Sequence, residues 1–473
     1  MTSLKFGTSG LRGLVSELVG LQTYSHVRAF CAMLRENDAV EPGDEVLIGR
    51  DLRSSSPLIA AQCAQAVADA GLVPVDCGAL PTPALALAAM KRGISAIMVT
   101  GSHIPDDRNG LKFYRASGEI EKADEVAILA WHAKLALDAV PDVSVAATRR
   151  EAIADYRERY VAFFGKDVLA GLTVGVYQHS SVGRDVICDV LVALGATPVP
   201  LGRSDRFIPV DTEALRTEDE RLARQWAVDG KLDAIVSTDG DADRPLVADE
   251  TGSFLRGDLV GALTARFLGA DVIVTPVTSN SALDRPGLFG KVIRTRVGSP
   301  YVIAGMERAR AEGARIVVGF EANGGVLLGS DVAIDNHSLA ALPTRDALLP
   351  ILANLALVKE ANKPLSAIAA ETRFAIALSN RLQDVPQERT LALIARLDAA
   401  DSDFREAAFG KHGGVTARDR SDGLRLTLGN GTTVHFRASG NAPELRVYVE
   451  APSFSEAEAL LAENLGFAAA QTR

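Results

Sequence analysis

Short apolar runs alternate with longer segments of helical period through most of the 473 residues, the pattern of successive βα units. Glu45-Val46-Leu47-Ile48-Gly49 and Ile94-Ser95-Ala96-Ile97-Met98-Val99 read as strands. Ser56 to Ala70, carrying Ile59, Ala60, Cys63, Ala66 and Val67, reads as the helix after the first of them. A polar stretch near Asp142 to Thr148 leads into an amphipathic helix with Tyr156, Tyr160 and Phe164. A second unit follows: strand Leu172 to Tyr177, a helix opened by Gln178-His179-Ser180-Ser181-Val182-Gly183, and strand Leu232 to Ser237. A third begins near Leu255-Arg256-Gly257-Asp258 and carries strands Val272 to Val277 and Arg315 to Gly319. Beyond Lys359-Glu360-Ala361-Asn362-Lys363-Pro364 the period changes to two in segments 423–428, 433–437 and 445–450, as in half-exposed antiparallel strands, before a closing helix from Ser455. The predicted organisation is three α/β units, residues 1–147, 148–252 and 253–366, and a C-terminal α+β domain, 367–473.

Three of the predicted strands end alike. Ala-Ile-Met-Val-Thr runs into Gly101-Ser102-His103, Ala-Ile-Val-Ser-Thr into Asp239-Gly240-Asp241, and Arg-Ile-Val-Val into Gly319-Phe320-Glu321-Ala322-Asn323-Gly324. Ligands of α/β sheets bind beyond the C-terminal ends of strands, so three related units can aim three polar loops at one site.

Composition narrows the function. A formal net charge of −10 with no basic run argues against a nucleic-acid partner, and a small anionic substrate would need its own local cations. No stretch reaches the ~18 apolar residues of a membrane span and the N-terminus has no apolar signal region, so the expected location is cytoplasmic. Cys31, Cys63, Cys77 and Cys188 fall at no metal-like spacing and read as small hydrophobes in a reducing compartment.

Asp239-Gly240-Asp241-Ala242-Asp243 spaces three carboxylates at i, i+2 and i+4, which on a tight loop converge on one hard divalent cation. An EF-hand fits poorly although Glu250 takes its twelfth position, because Arg244 stands at the sixth, where the turn needs glycine, and the flanks are strand-like. Ser102 is followed by His103 and, ten residues on, by Lys112, a set suited to a phosphoryl-transfer loop. Arg437-Ala438-Ser439-Gly440-Asn441-Ala442-Pro443-Glu444-Leu445-Arg446 joins two alternating strands; its small residues between two arginines make a phosphate cradle, where a plain hairpin turn would leave the arginines unexplained. Phe6-Gly7-Thr8-Ser9-Gly10-Leu11-Arg12-Gly13 is a further Gly-rich loop ending in arginine.

Taken in order, these segments, with Gly49-Arg50-Asp51-Leu52-Arg53 and Pro81-Thr82-Pro83, resemble the α-D-phosphohexomutase family nearly end to end. The resemblance implies an α/β fold of four domains around a central cleft, three related mixed-sheet units plus a C-terminal α+β domain. It implies an intramolecular phosphotransferase acting on small-molecule hexose phosphates, as a monomer or homodimer, with no nucleic-acid or membrane partner. Ser102 would be the phosphoserine, and Mg²⁺ would be held by its phosphate with Asp239, Asp241 and Asp243. A phosphoserine of charge near −2 beside three carboxylates suffers repulsions of roughly 4 kcal/mol per close pair at an effective dielectric near 20, which a divalent cation offsets. Lys112 matches the acid/base position, with Arg12, Arg244 and His103 completing the catalytic set. Glu321 would read sugar hydroxyls, Asn323 would be a further substrate-binding residue, and Arg437, Ser439, Gly440, Asn441 and Arg446 would grip the phosphate that does not react. A glucose or mannose 1,6-bisphosphate would serve as intermediate and activator.

The departures bear on the sugar. Many members read Gly-Glu-x-Ser-Gly-His where this chain has Phe320-Glu321-Ala322-Asn323-Gly324-Gly325, and Lys-x-Gly-His where it has Arg296-Val297-Gly298-Ser299. The usual Ser-Gly-Thr-Glu-Pro becomes Ser439-Gly440-Asn441-Ala442-Pro443. The Ser102 and Glu321 loops look most like those of bacterial members acting on mannose phosphates. Glucose phosphate, or both sugars, is the alternative, and a non-catalytic calcium- or sugar-phosphate-binding protein the remote one.

Overall fold

The computed structural model describes residues 4–7, 10–399, 402–439 and 443–472 (of Ser402, the backbone only). The chain divides into two compact units, Met1–Ile273 with Gly298–Ala369, and Val274–Val297 with Ala370–Arg473.

The first unit is built on mixed sheets. Its largest runs in the order Lys5–Phe6, Leu11–Leu14, Arg108–Arg115, Ser95–Val99, Glu45–Arg50, Val73–Ala79, Thr148–Arg149. The apolar strands Glu45–Arg50, Ser95–Val99 and Val73–Ala79 pair in parallel, as their intervening helices require. Arg108–Arg115 then returns antiparallel to Ser95–Val99, with Lys112 opposite Met98. The Lys112 segment, expected to be part of a loop, is therefore an interior strand. Arg12, expected in a Gly-rich loop, likewise lies on Leu11–Leu14, opposite Gly110. Helices Thr23–Asn37 and Ser56–Asp69 bury Val27, Phe30, Cys31, Ile59, Cys63 and Val67 against Ile48, Ile97 and Val99.

A second sheet runs Thr197–Arg203, Thr173–His179, Ala234–Thr238, Pro245–Ala248, with the last strand antiparallel in a hairpin that pairs Thr238 with Pro245. Hairpin flanks in place of helices remove the EF-hand reading. The antiparallel strands Val317–Phe320, Val326–Leu328 and Leu342–Asp346 form a third layer, beside a helix, Leu348–Ala361, buried almost all round. Asp346 ties this layer to helix Ile153–Phe164: its carboxylate accepts from Tyr156 Oη at 2.6 Å and from Tyr160 Oη.

The second unit carries the antiparallel sheet Ile376–Leu382, Leu445–Ala451, Thr433–Ala438, Leu424–Leu428, Val415–Asp419, covered by helix Phe454–Gln471. Alternation buries Leu424, Leu426, Leu428, Val447 and Val449 on one face, as the period-two pattern requires. Segment 274–297 belongs to this unit through Asn280, whose Nδ2 donates to the Ala375 carbonyl at 2.8 Å. The mixed α/β and α+β classes follow the expected ones. No helix among the described residues is long and apolar enough to cross a membrane.

Each unit holds a buried neutral histidine. His26 Nδ1 donates to the Gln22 carbonyl at 2.7 Å, and His435 Nε2 to the Asp422 carbonyl at 2.7 Å. Burial pushes each pKa down to about 4. The unfolded chain binds these protons near pH 6.5, so the stability is complete above that value and falls as the pH drops from it towards 4. From pH 7 to pH 5 each imidazole should cost about 2 kcal/mol of unfolding free energy, read as a lower urea midpoint for each unit. A midpoint that rises over the same range would contradict the buried neutral state.

Candidate active site

The Ser102 loop is held from behind by an ion pair. Asp51, at the end of strand Glu45–Arg50, accepts from Ser56 Oγ at 2.6 Å and Thr100 Oγ1 at 2.8 Å, and its carboxylate lies 3.3 Å from Arg53 Nε. Arg53, fully buried, donates to four carbonyls of the loop: Ser102 at 2.9 Å, Ile104 at 2.5 Å, Pro105 at 2.7 Å and Arg108 at 2.9 Å. Only glycine fits at 101, where a Cβ would stand 2.6 Å from Arg53 Cζ. Ser102 itself is driven to φ +54°, a strained left-handed conformation for a side-chain residue that this clamp sustains.

The carboxylates come from the tip of the hairpin in the second sheet. Ser102 Oγ donates to Asp239 Oδ2 at 2.5 Å. Lys112 Nζ donates to Asp241 Oδ2 and Asp243 Oδ2, each at 2.6 Å, and Thr82 Oγ1 reaches Asp241 Oδ2 at 2.6 Å. One oxygen from each aspartate lies within 4.8 Å of the others. Burial pushes Asp239 well above the usual carboxylate range, and the charges of Asp241 and Asp243 push the same way. Burial would raise Asp243 too, but Arg345, Lys112 and Arg244 hold it below that range. Asp241 Oδ1 and Asp243 Oδ1 are buried with no hydrogen-bond partner. Two orphaned carboxylate oxygens on a trio of hard ligands fit a divalent cation.

Burial alone would lower the Lys112 ammonium, but Asp241 and Asp243 outweigh it and keep its pKa above the ordinary value. Arg244 Nη1 donates to His103 Nδ1 at 3.0 Å, so that nitrogen is the acceptor. Burial and the Arg244 charge keep His103 neutral. Arg12 is half-buried, its pKa pushed down to about 10 by burial and by Arg244. Glu321, from the third strand-end loop, is buried and meets Arg345, whose Nη1 donates to Glu321 Oε2 at 3.1 Å. The loops of Ser102, the aspartates and Glu321 thus converge within one unit. Asn323 lies beside Glu321: its Oδ1 accepts from Gly325 N at 3.0 Å and its Nδ2 donates to Glu321 Oε2 at 3.4 Å, so the side chain shapes the loop.

In the second unit, Arg437 and Arg446 face each other across the hairpin. Arg437 Nε pairs with Asp422 Oδ2 at 2.7 Å and Arg446 Nη2 with Glu444 Oε2 at 3.5 Å. Like charges held opposite each other suit a dianion between them. Ser439 N donates to the Glu444 carbonyl at 3.0 Å, while Gly440 and Asn441 lie outside the described residues.

Sequence reasoning named the Gly49–Arg53 and Pro81–Pro83 segments without roles for Arg53 or Thr82, and it missed Arg345. Its one signal is a charged Arg345-Asp346 pair closing an otherwise mostly uncharged strand, which does not by itself point to a site.

Family models described as phosphoglucomutase/phosphomannomutase match three stretches: alpha/beta/alpha domain I over residues 3–136, alpha/beta/alpha domain III over 256–374, and the C-terminal domain over 383–466. A phosphomannomutase of Sinorhizobium fredii is 52% identical over 465 residues, 98% of each chain. A phosphomannomutase of Salmonella muenchen is 42% identical over 457 residues, 96% of this chain and 94% of that one. The crystal structure of a phosphoglucomutase/phosphomannomutase family protein from Burkholderia thailandensis matches the fold with a TM-score of 0.77 at 21% identity, covering 98% of this chain and 97% of that one.

Proposed function

We propose that this chain, which belongs to the α-D-phosphohexomutase family of phosphoglucomutases and phosphomannomutases, interconverts mannose 6-phosphate and mannose 1-phosphate. The observation that carries the reaction is the hydrogen bond of Ser102 Oγ to Asp239 Oδ2 beside Lys112 on Asp241 and Asp243. Whole-chain identity to the two phosphomannomutases supports the sugar.

In the reading adopted, Ser102 Oγ carries the phosphoryl group. A sugar hydroxyl oxygen attacks its phosphorus, the P–Oγ bond breaks, and Ser102 recovers a proton, leaving a 1,6-bisphosphate in the site. Ser102 Oγ then attacks the other phosphorus, the P–O bond to the sugar breaks, and the freed sugar oxygen is protonated. Lys112 is the proton carrier. Its ammonium protonates the oxygen released in each step, Ser102 Oγ in the first and the sugar oxygen in the second, and the resulting amine accepts the proton of the hydroxyl that attacks in that same step. Mg²⁺ held by Asp239, Asp241 and Asp243 with the Ser102 phosphate would polarise the phosphoryl oxygens and neutralise their charge. Arg12 and Arg244 hold positive charge beside the transferring group, and neutral His103 is fixed by Arg244. Glu321 accepts from sugar hydroxyls. Arg437, Ser439, Gly440, Asn441 and Arg446 take the phosphate that does not react. The expected compartment is the cytoplasm.

Coupled assays with mannose 1-phosphate and glucose 1-phosphate, each primed with sugar 1,6-bisphosphate, test the assignment. kcat/KM for mannose 1-phosphate should exceed that for glucose 1-phosphate at least about tenfold, a difference of ~1.4 kcal/mol in transition-state binding. Comparable values would make the enzyme dual-specific, and absence of turnover with either sugar would overturn the reading.

A further inference from the structure

Arg345 is an arginine with only 3% of its side chain exposed, and it stands next to last on strand Leu342–Asp346. It grips two carboxylates with different tasks. Nε and Nη2 donate to Asp243 Oδ2 at 3.1 and 2.9 Å, and Nη1 donates to Glu321 Oε2 at 3.1 Å. Since Lys112 also binds Asp243 Oδ2, that oxygen is fully engaged, and the buried Oδ1 is the one left without a hydrogen bond, with Arg244 Nε 3.8 Å away. The planar guanidinium therefore fixes which oxygen of Asp243 is available to a cation, and ties that choice to the position of Glu321.

The Arg345 stem also has a space cleared for it. A Cβ at Gly325 would lie 2.8 Å from Arg345 Cδ, 3.0 Å from Arg345 Cγ and 3.0 Å from the Asp243 carbonyl oxygen. The volume a side chain at 325 would take is thus filled by the arginine from another strand.

We propose that Arg345 is a positioning residue that couples the sugar-reading carboxylate of Glu321 to the metal-holding carboxylate of Asp243, from the space a side chain at 325 would occupy. The proposal rests on the mutase reading for the role of Glu321 but not for the grip on Asp243. The test uses the full chain with Arg345→Lys, Gly325→His and the double change Gly325→His/Arg345→Ala. A lysine keeps the charge but has no fork, so Arg345→Lys should raise both KM for mannose 1-phosphate and the Mg²⁺ dissociation constant, titrated on metal-free protein, at least about tenfold. A fall in Tm alone, with both constants within about twofold of the parent, overturns the coupling. Gly325→His drives a side chain into the stem and should lower kcat/KM at least about 100-fold. Removing the stem takes away the Arg345 Cδ and Cγ contacts, two of the three nearest to a Cβ at 325, so the double variant should recover at least about tenfold of that loss. A double variant no better than the single overturns the shared space, and it decides the matter if Arg345→Lys does not fold. Absence of hexose-phosphate turnover by the parent sinks the mutase reading instead, and the Mg²⁺ titration then decides the Asp243 grip alone.

Discussion

Ser102→Ala is expected to bring turnover to background and to leave the protein without covalent phosphate. Splitting the transfer in two requires an oxygen that can hold the group, and a methyl cannot. A loss of at least about 10⁴-fold, ~5 kcal/mol in the barrier, should follow because uncatalysed phosphoryl transfer is so slow. Stability should hardly move. The exchange removes one hydroxyl hydrogen bond to Asp239, worth about 1 kcal/mol net, and retains the backbone conformation that Arg53 enforces. Coupled assay, intact mass and thermal unfolding read the three quantities separately. Retained turnover would remove Ser102 from the reaction.

The second large effect lies outside the reacting groups. Arg53→Met should destabilise the first unit by about 3–5 kcal/mol, since removing one member of a buried pair leaves Asp51 charged and uncompensated. Four carbonyls of residues 102–108 lose donors in the same step, so Ser102 should also lose its fixed conformation and activity should fall with stability. Arg420→Met is the comparison. Its partner is Asp398 on the surface, with 56% of the Arg420 side chain exposed, and the change should stay within about 0.5 kcal/mol. Urea unfolding reads each variant's shift from the parent, and a shift for Arg53→Met no larger than that for Arg420→Met would show that the Arg53 clamp adds no stability.

Much of this was legible in the chain, for local reasons. The strand-to-loop repeats rest on apolar runs cut off by Gly, Ser and Asp, and the strands Ser95–Val99, Ala234–Thr238 and Val317–Phe320 end within a residue or two of where those runs end. The aspartate trio was legible because three ligands sit within five residues of one another, so a single hairpin tip brings them together. Lys112 was identified, but its setting was not. Arg108–Arg115 holds four charged or amide side chains, and it is an interior strand only because Ser95–Val99 and Leu11–Leu14 flank it.

The sequence by itself determined the fold class, the family resemblance, and the candidate site residues Ser102, Asp239, Asp241, Asp243, Lys112 and Glu321. Each is written in a short segment whose pattern does not depend on distant partners. Only the tertiary structure decided how those residues are held. Arg53 reaches a loop 49 residues away, and Arg345 joins Asp243 from 102 residues away to Glu321. An arginine's charge is visible in any sequence, but whether it is buried, and against which carboxylates, depends on desolvation and geometry that arise only when distant strands pack together. Ser102, legible in its loop from the sequence alone, owes its strained backbone to one such arginine.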